Sequence, residues 1–169
     1  MMPPPPGFND TVAAIEDLLV SEEESIFAYK IAVLRANATS DIRRFGEFLR
    51  ARQGAARDLS RVRARLLAKQ GTWGQPWETR RLPPGTAQQI GALPNEEGMF
   101  DVLASAEDRH ASKLVTLLVC ADGELPRDVC TLLERILTET EQRRAWLHER
   151  GACVVSSAAN DARKVASRG

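Results

Sequence analysis

The sequence has few features of a secreted, membrane-bound or strongly charged protein. Only three of its 169 residues are cysteine, an odd number without metal-ligand spacing, which is typical of reduced thiols in the cytoplasm. No apolar run approaches the ~20 residues of a membrane span. The 23 basic residues balance 23 acidic residues, so bulk charge does not favour nucleic acid or acidic lipid as a partner. We therefore expect a cytoplasmic protein without membrane association, and we do not expect it to bind nucleic acid.

Signals for β-strands and for the common catalytic motifs are also missing. No strand signal is longer than Cys153–Val155. There is no glycine-rich phosphate loop and no recognisable set of serine, histidine and aspartate for nucleophilic catalysis. These absences favour an all-α fold, and they favour a protein that is not an enzyme.

The sequence does contain four long stretches in which apolar residues recur with helical periodicity. Asn95, followed by two glutamates, is typical of a helix N-terminus, and Pro126 suits the first turn of the next helix. The stretch 71–95 carries prolines and glycines that interrupt helices. The predicted helices cover residues 11–36, 41–69, 95–121 and 126–151.

The links between these helices predict their arrangement. Short links join the first two helices and the last two, which makes each pair antiparallel neighbours, whereas the crossover 71–95 is long enough to return along a helix of ~38 Å. We therefore predict an antiparallel four-helix bundle over residues 11–150, built from two helical hairpins joined by one long crossover. Residues 1–10 are expected to be a proline-rich leader without signal-peptide character, and residues 151–169 a flexible C-terminal tail.

Four charged residues fall on or beside the apolar faces, near mid-height of their helices. They are Glu22, Arg52, Glu107 and Arg143, two acidic and two basic. A charge inside a core is costly unless it is paired, so we predict that the four meet. The simplest pairing joins Glu22 to Arg52 and Glu107 to Arg143, although a crossed network is equally compatible. The two arginines could instead extend to solvent along their aliphatic stems.

The segment Leu19-Val20-Ser21-Glu22, followed seven residues later by Tyr29, resembles the first helix of ferritin-like and rubrerythrin-like proteins. The resemblance covers the four helices, over about residues 11–150. Members of that family hold two iron or manganese ions with one glutamate from each of two helices and a Glu-x-x-His pair from each of the other two. By position, Glu22 and Glu107 match the single glutamates, and Tyr29 matches the tyrosine that accompanies the first.

Both Glu-x-x-His pairs of the family are absent. Arg52 and Ala55 stand at the glutamate and histidine positions of the second helix, and the best register of the fourth helix places Thr140 and Arg143 there. Two guanidinium groups repel metal cations. The resemblance therefore implies a bacterial branch of the superfamily with a degenerate di-iron site, in which arginine replaces the metal as counter-charge and no cofactor is bound.

These features predict a non-catalytic, ferritin-like binding or structural module. Its buried polar network is expected to contain Glu22, Tyr29, Arg52, Glu107 and Arg143. The alternative is a ferritin-like oxidase or metal-storage protein with an atypical iron or manganese site. Its fallback ligands would be Glu22, Glu107 and His110, because Glu107 and His110 form a literal Glu-x-x-His on one helix.

A second apolar stripe lies on the first helix, well away from its core-facing side. A bundle helix needs only one apolar face, so we expect this stripe to be covered. The cover is either a second copy of the chain, in a homodimer, or the crossover with Trp73 and Trp77. The stripe consists of Val20, Phe27, Ile31 and Leu34.

Arginines also line the outward face of the second helix. Glu47 and Asp58 interrupt this line, and the acidic first helix lies beside it, so a salt-bridged, solvated face is the favoured prediction. A nucleic-acid-binding surface is the alternative. The line consists of Arg43, Arg50, Arg57, Arg61 and Arg65.

Overall fold

The computed structural model describes residues 8–69, 85–120 and 125–166, with side chains described from residue 11 to residue 157 within these ranges. The described residues form five helices and no strand, which confirms the all-α prediction for this part of the chain. None of the described helices combines the length and the apolar character that crossing a membrane requires. The helices are α1 (Phe8–Arg35), α2 (Thr39–Lys69), α3 (Thr86–Ala92), α4 (Met99–Cys120) and α5 (Arg127–Ala166).

The four long helices contact one another as two pairs. Helix α1 packs along α2, and α4 packs along α5. The pairs meet through contacts of α1 with α4 and of α2 with α5, while α3 lies against α1 and α4. Each long helix therefore turns part of its surface towards a common interior.

That interior contains two apolar clusters. The first is mostly aliphatic and includes Ile15, Leu59, Leu114 and Leu133, all fully buried. The second is rich in aromatic rings that meet in tilted or edge-to-face pairs with centroids 5.4 to 6.2 Å apart: Tyr29, Phe45, Phe48, Phe100 and Trp146. In every long helix, the residues of one cluster precede the charged residue that the sequence singled out, and the residues of the other cluster follow it.

A helix within the predicted crossover is the first difference from the sequence-based prediction. Helix α3 has only seven residues, too few for a periodic pattern, and contacts at both of its ends hold it. Glu24 of α1 accepts a hydrogen bond from the Thr86 backbone amide at 2.7 Å, and Arg35 donates to the Gly91 carbonyl oxygen at 2.9 Å. Ile90 of α3 is fully buried in the aromatic cluster.

The ends of the outer helices are the second difference. Helix α1 begins at Phe8, inside the predicted leader, and α5 continues to Ala166 through much of the predicted flexible tail. The predicted fourth helix ends at Gly151, but α5 continues through this residue, and the glycine permits close packing because a Cβ atom there would lie 3.1 Å from Cβ of Phe100 on α4. Residues 1–7 and 167–169 of the leader and tail, and residues 70–84 with Trp73 and Trp77, lie outside the described residues.

Candidate functional site

A layer of polar side chains separates the two apolar clusters. Its members come from all four long helices, and none exposes more than 3 % of its surface. Arg52 ranks first by volume among the fully buried side chains. We call the following set the polar layer: Glu22, Tyr29, Arg52, Glu107, His110, Thr140 and Arg143.

Arg52 bridges the two carboxylates of the polar layer. Its Nη1 donates to Oε1 of Glu22 at 2.8 Å, and its Nη2 donates to Oε2 of Glu107 at 2.5 Å. Burial opposes the charged form of Arg52, but the charges of Glu107 and Glu22 outweigh burial and raise its pKa further above the ordinary value. One guanidinium thereby links α2 to α1 and to α4.

Arg143 approaches Glu107 from the other side. Its Nε donates to Oε2 of Glu107 at 3.1 Å, and its Nη2 donates to the Thr140 hydroxyl oxygen at 2.9 Å. That hydroxyl in turn donates to the Ile136 carbonyl oxygen at 2.8 Å, one helical turn earlier. Thr140 therefore fixes the Arg143 side chain against α5 and directs its Nε towards the carboxylate.

Glu107 is the most completely satisfied acid in the layer. Its second oxygen, Oε1, accepts a hydrogen bond from the Tyr29 hydroxyl at 2.6 Å. Burial alone would raise the pKa of Glu107, but the charges of Arg52 and Arg143, with the hydrogen bonds from Arg52 and Tyr29, lower it to about 2. Burial and the Glu107 charge raise the pKa of Tyr29, so its hydroxyl stays a donor.

Oε1 of Glu22 accepts a hydrogen bond from Arg52, and Nε2 of His110 lies 2.9 Å from the same oxygen but outside hydrogen-bond geometry. Its Oε2 is buried and has no hydrogen-bond partner among the described residues. Burial raises the pKa of Glu22, and the charge of Arg52 and the contact with His110 lower it, with a net decrease. Glu22 is therefore ionised but less fully satisfied than Glu107.

His110 completes the layer as a neutral group. Burial and the charge of Arg52 lower its pKa despite the opposing effect of Glu22. Its Nδ1 lies 2.9 Å from the Ser21 hydroxyl. We assign the ring proton to Nε2, facing the carboxylate, so that Nδ1 accepts from Ser21. With His110 and Tyr29 neutral, the two carboxylates and two guanidiniums of the polar layer sum to zero charge.

The structure brings together all five residues that the sequence placed in the buried network. They form one connected network, because Arg52 contacts both acids, and not two separate pairs. Neither Arg52 nor Arg143 extends to solvent. Ser21 and Thr140 were not among the predicted network residues, and His110 was predicted only as a fallback metal ligand. The three-residue spacing from Glu107 is the signal that puts His110 on the same interior side.

These residues do not fit a two-metal site. The guanidinium of Arg52 stands between Glu22 and Glu107 and donates one hydrogen bond to each. The fallback ligand set of Glu22, Glu107 and His110 is therefore not gathered around one point. In the described ranges, no group of three or more histidine, cysteine, aspartate or glutamate side chains is arranged to hold a metal ion.

Comparison of the chain with protein-family models, with curated proteins and with solved structures gives no match. The likeness to ferritin-like proteins therefore depends on the residues and helices of this chain alone.

The neutral state of His110 makes the stability of the protein depend on pH. Below pH 6.5, the histidine of the unfolded chain binds a proton that His110 of the folded chain does not bind. The free energy of unfolding is therefore greatest above pH 6.5 and decreases below it. We expect the free energy of unfolding to decrease from pH 7.5 to pH 5, by at most about 1.4 kcal/mol per pH unit. His110→Gln should flatten this slope in urea titrations followed by circular dichroism.

The matched control is His148→Gln, because His148 is the second of the two histidines and is exposed on α5. It should keep the slope of the unmodified protein. An equal slope in the His110→Gln protein would mean that His110 is not the group that titrates.

Proposed function

We propose that the chain is a ferritin-like four-helix bundle whose metal centre is replaced by the polar layer, and that it serves as a non-catalytic structural or binding module. The observation that carries this proposal is the position of Arg52. Its guanidinium contacts both carboxylates that match metal ligands of the family, Glu22 and Glu107.

The helix contacts support the ferritin-like arrangement. The pairs α1–α2 and α4–α5 act as the two hairpins, and the chain between α2 and α4 acts as the crossover. In this arrangement the hairpins pack against each other through α1 with α4 and through α2 with α5. The short link within each hairpin favours an antiparallel pair of helices.

Charge neutrality supports the replacement of metal by arginine. A carboxylate in a core needs a cation or several hydrogen-bond donors, and arginine supplies both through a planar group with five N–H donors. Here Glu107 accepts hydrogen bonds from both arginines and from the Tyr29 hydroxyl, and both arginines place positive charge where a metal ion would have to bind. An oxidase or metal-storage function at Glu22, Glu107 and His110 would require Arg52 to leave the interior.

Metal analysis tests this proposal. The protein purified from medium supplemented with iron and manganese should contain far less than one metal ion per chain, because two buried guanidiniums repel cations. The measurement is inductively coupled plasma mass spectrometry after exhaustive dialysis. Stoichiometric iron or manganese that is lost in the Glu22→Ala protein would overturn the proposal in favour of the metal-dependent alternative.

A homodimer through α1 is the second part of the proposal. The described residues leave much of the apolar stripe exposed: Phe27 is 48 % exposed and Leu34 84 % exposed, while Val20 and Ile31 are half-buried. Ile31 packs against the aromatic cluster that also contains Ile90 of α3. Val20 and Leu34 each lie seven residues from Phe27, so a second copy running antiparallel would place its Leu34 against Val20 around a shared Phe27 contact.

Charge at Phe27 should separate the two copies. The Phe27→Glu protein should sediment as a monomer at concentrations where the unmodified protein is a dimer, because two buried like charges would face each other at the symmetry axis. The control is Val115→Glu, since Val115 of α4 has a similar exposure of 45 %. A monomeric unmodified protein, or equal dissociation by both variants, would contradict pairing through α1.

A further inference from the structure

Positive charge is concentrated on α2, although the whole chain is neutral. The helix carries nine basic residues and three acidic residues. Arg52 is internal, and Arg63 and Arg65 form ion pairs with Glu16 and Asp128. The remaining positive charge lies on the outward side of the helix.

The acidic residues of α2 are already engaged by other arginines. The predicted salt-bridged face therefore exists only in part: Arg61 and Arg65 are paired, but Arg43, Arg50 and Arg57 are exposed and have no ion pair or hydrogen bond among the described residues. The engaged acids are Asp41 with Arg150, Glu47 with Arg44, and Asp58 with Arg61 and Arg135.

The three unpaired arginines form a straight row. They are spaced seven residues apart on one helix face, so their Cα atoms follow one another at about 10.5 Å and the row spans about 21 Å. Gly46 and Gly54 lie between them, and the space beside Gly54 is open: nothing stands within 4 Å of a Cβ atom built there. We call Arg43, Arg50 and Arg57 the arginine row.

The chemistry of this face selects the partner. Protein partners need buried apolar or aromatic anchors, and single-stranded nucleic acid needs aromatic platforms for its bases, but the arginine row and its two glycines offer neither. Duplex phosphates need only regularly placed cations. We propose that the arginine row binds the phosphate backbone of double-stranded nucleic acid without reading its sequence, over about six base-pair rises of ~3.4 Å.

Because the chain as a whole has no net charge, only the three arginines of the row are expected to attract phosphates. Contacts with three phosphates correspond to a slope of roughly −2.7 in a plot of the logarithm of the binding constant against the logarithm of salt concentration. Binding is therefore expected at low salt and should weaken steeply as salt is added. This inference does not depend on the polar layer or on the absence of metal.

The test uses fluorescence anisotropy of a fluorescein-labelled, mixed-sequence DNA duplex titrated with the full chain at about 50 mM salt and above. The unmodified protein should bind with the slope given above. The triple variant Arg43→Ala, Arg50→Ala, Arg57→Ala should lose binding, and its circular dichroism spectrum and melting temperature should not change, because all three side chains are exposed.

The control variant Lys113→Ala, Arg127→Ala, Arg144→Ala removes the same charge from α4 and α5 and should retain binding. No binding by the unmodified protein would overturn the proposal. So would equal losses in the two triple variants, since that result would assign binding to net charge. Binding of labelled polyglutamate in place of the duplex would assign the row to an acidic protein partner and would also refute it.

Discussion

Replacing Arg52 with methionine should destabilise the protein by about 3–5 kcal/mol, because breaking a buried ion pair leaves its partner charge uncompensated in the core. Methionine keeps much of the length of the side chain, so the loss reports charge more than volume. Glu22 would keep only His110 as a neighbour on its bonded oxygen, and its other oxygen already has no partner among the described residues. Urea unfolding followed by circular dichroism measures the change.

The pH dependence of the Arg52→Met protein should differ in sign from that of the unmodified protein. Without Arg52, burial raises the pKa of Glu22 above its unfolded value near 4.5, so the folded state gains a proton before the unfolded state does. Because Arg52 also contributes to the lowered pKa of His110, the comparison is made in the His110→Gln background, where Arg52→Met should make stability increase as the pH falls from 7 towards 5. The double variant Arg52→Met, Glu22→Gln should recover part of the lost stability at pH 7.

Arg57→Met is the matched control, because Arg57 lies on the same helix, is exposed and has no ion pair among the described residues. Its effect should stay within about 0.5 kcal/mol, as for other surface substitutions. If Arg52→Met changed the free energy of unfolding no more than Arg57→Met does, the bridge between the two carboxylates would not contribute to folding.

Five of the seven members of the polar layer were predictable because helical periodicity fixes direction over long helices. A charge at the centre of an apolar face, as at Glu22 or Arg52, is informative since burying it is expensive unless it is paired. The connections within the layer were not predictable. Whether Arg52 reaches one acid or two depends on side-chain torsions and on distances of about an ångström, which periodicity does not specify.

The two missed features of the fold have tertiary causes. Helix α3 depends on Glu24 and Arg35, which come from a distant helix and are invisible in a seven-residue window. Glycine is common just after the end of a helix, so Gly151 predicted a helix end. The close approach of Phe100 explains why a glycine stands inside α5 instead. In both cases contacts between helices decided what local preference alone could not.

If the chain is ferritin-like, introducing the two Glu-x-x-His pairs of that family should convert the polar layer into a metal site. The variant combines Arg52→Glu, Ala55→His, Thr140→Glu and Arg143→His, which places a Glu-x-x-His pair on α2 and another on α5. All four positions are at most 4 % exposed, and Glu22 and Glu107 already lie beside two of them. If the layer corresponds to the di-metal centre of ferritin-like proteins, this variant should bind two divalent ions per chain, as measured by cobalt titration and mass spectrometry.

Metal should also stabilise this variant strongly. Without cations, its extra carboxylates repel one another and destabilise the fold. A ligand present at 1,000 times its dissociation constant adds about 4 kcal/mol to the free energy of unfolding. The unmodified protein should show no such metal-dependent increase in melting temperature. The Arg52→Glu protein should not bind two ions, because it lacks the two added histidines. Adding Glu22→Gln should reduce the metal content of the four-substitution variant, because it removes one of the two carboxylates inherited from the natural layer. A folded four-substitution variant that takes up no more cobalt than the unmodified protein would show that these helices do not hold their interior positions as ferritin-like proteins do.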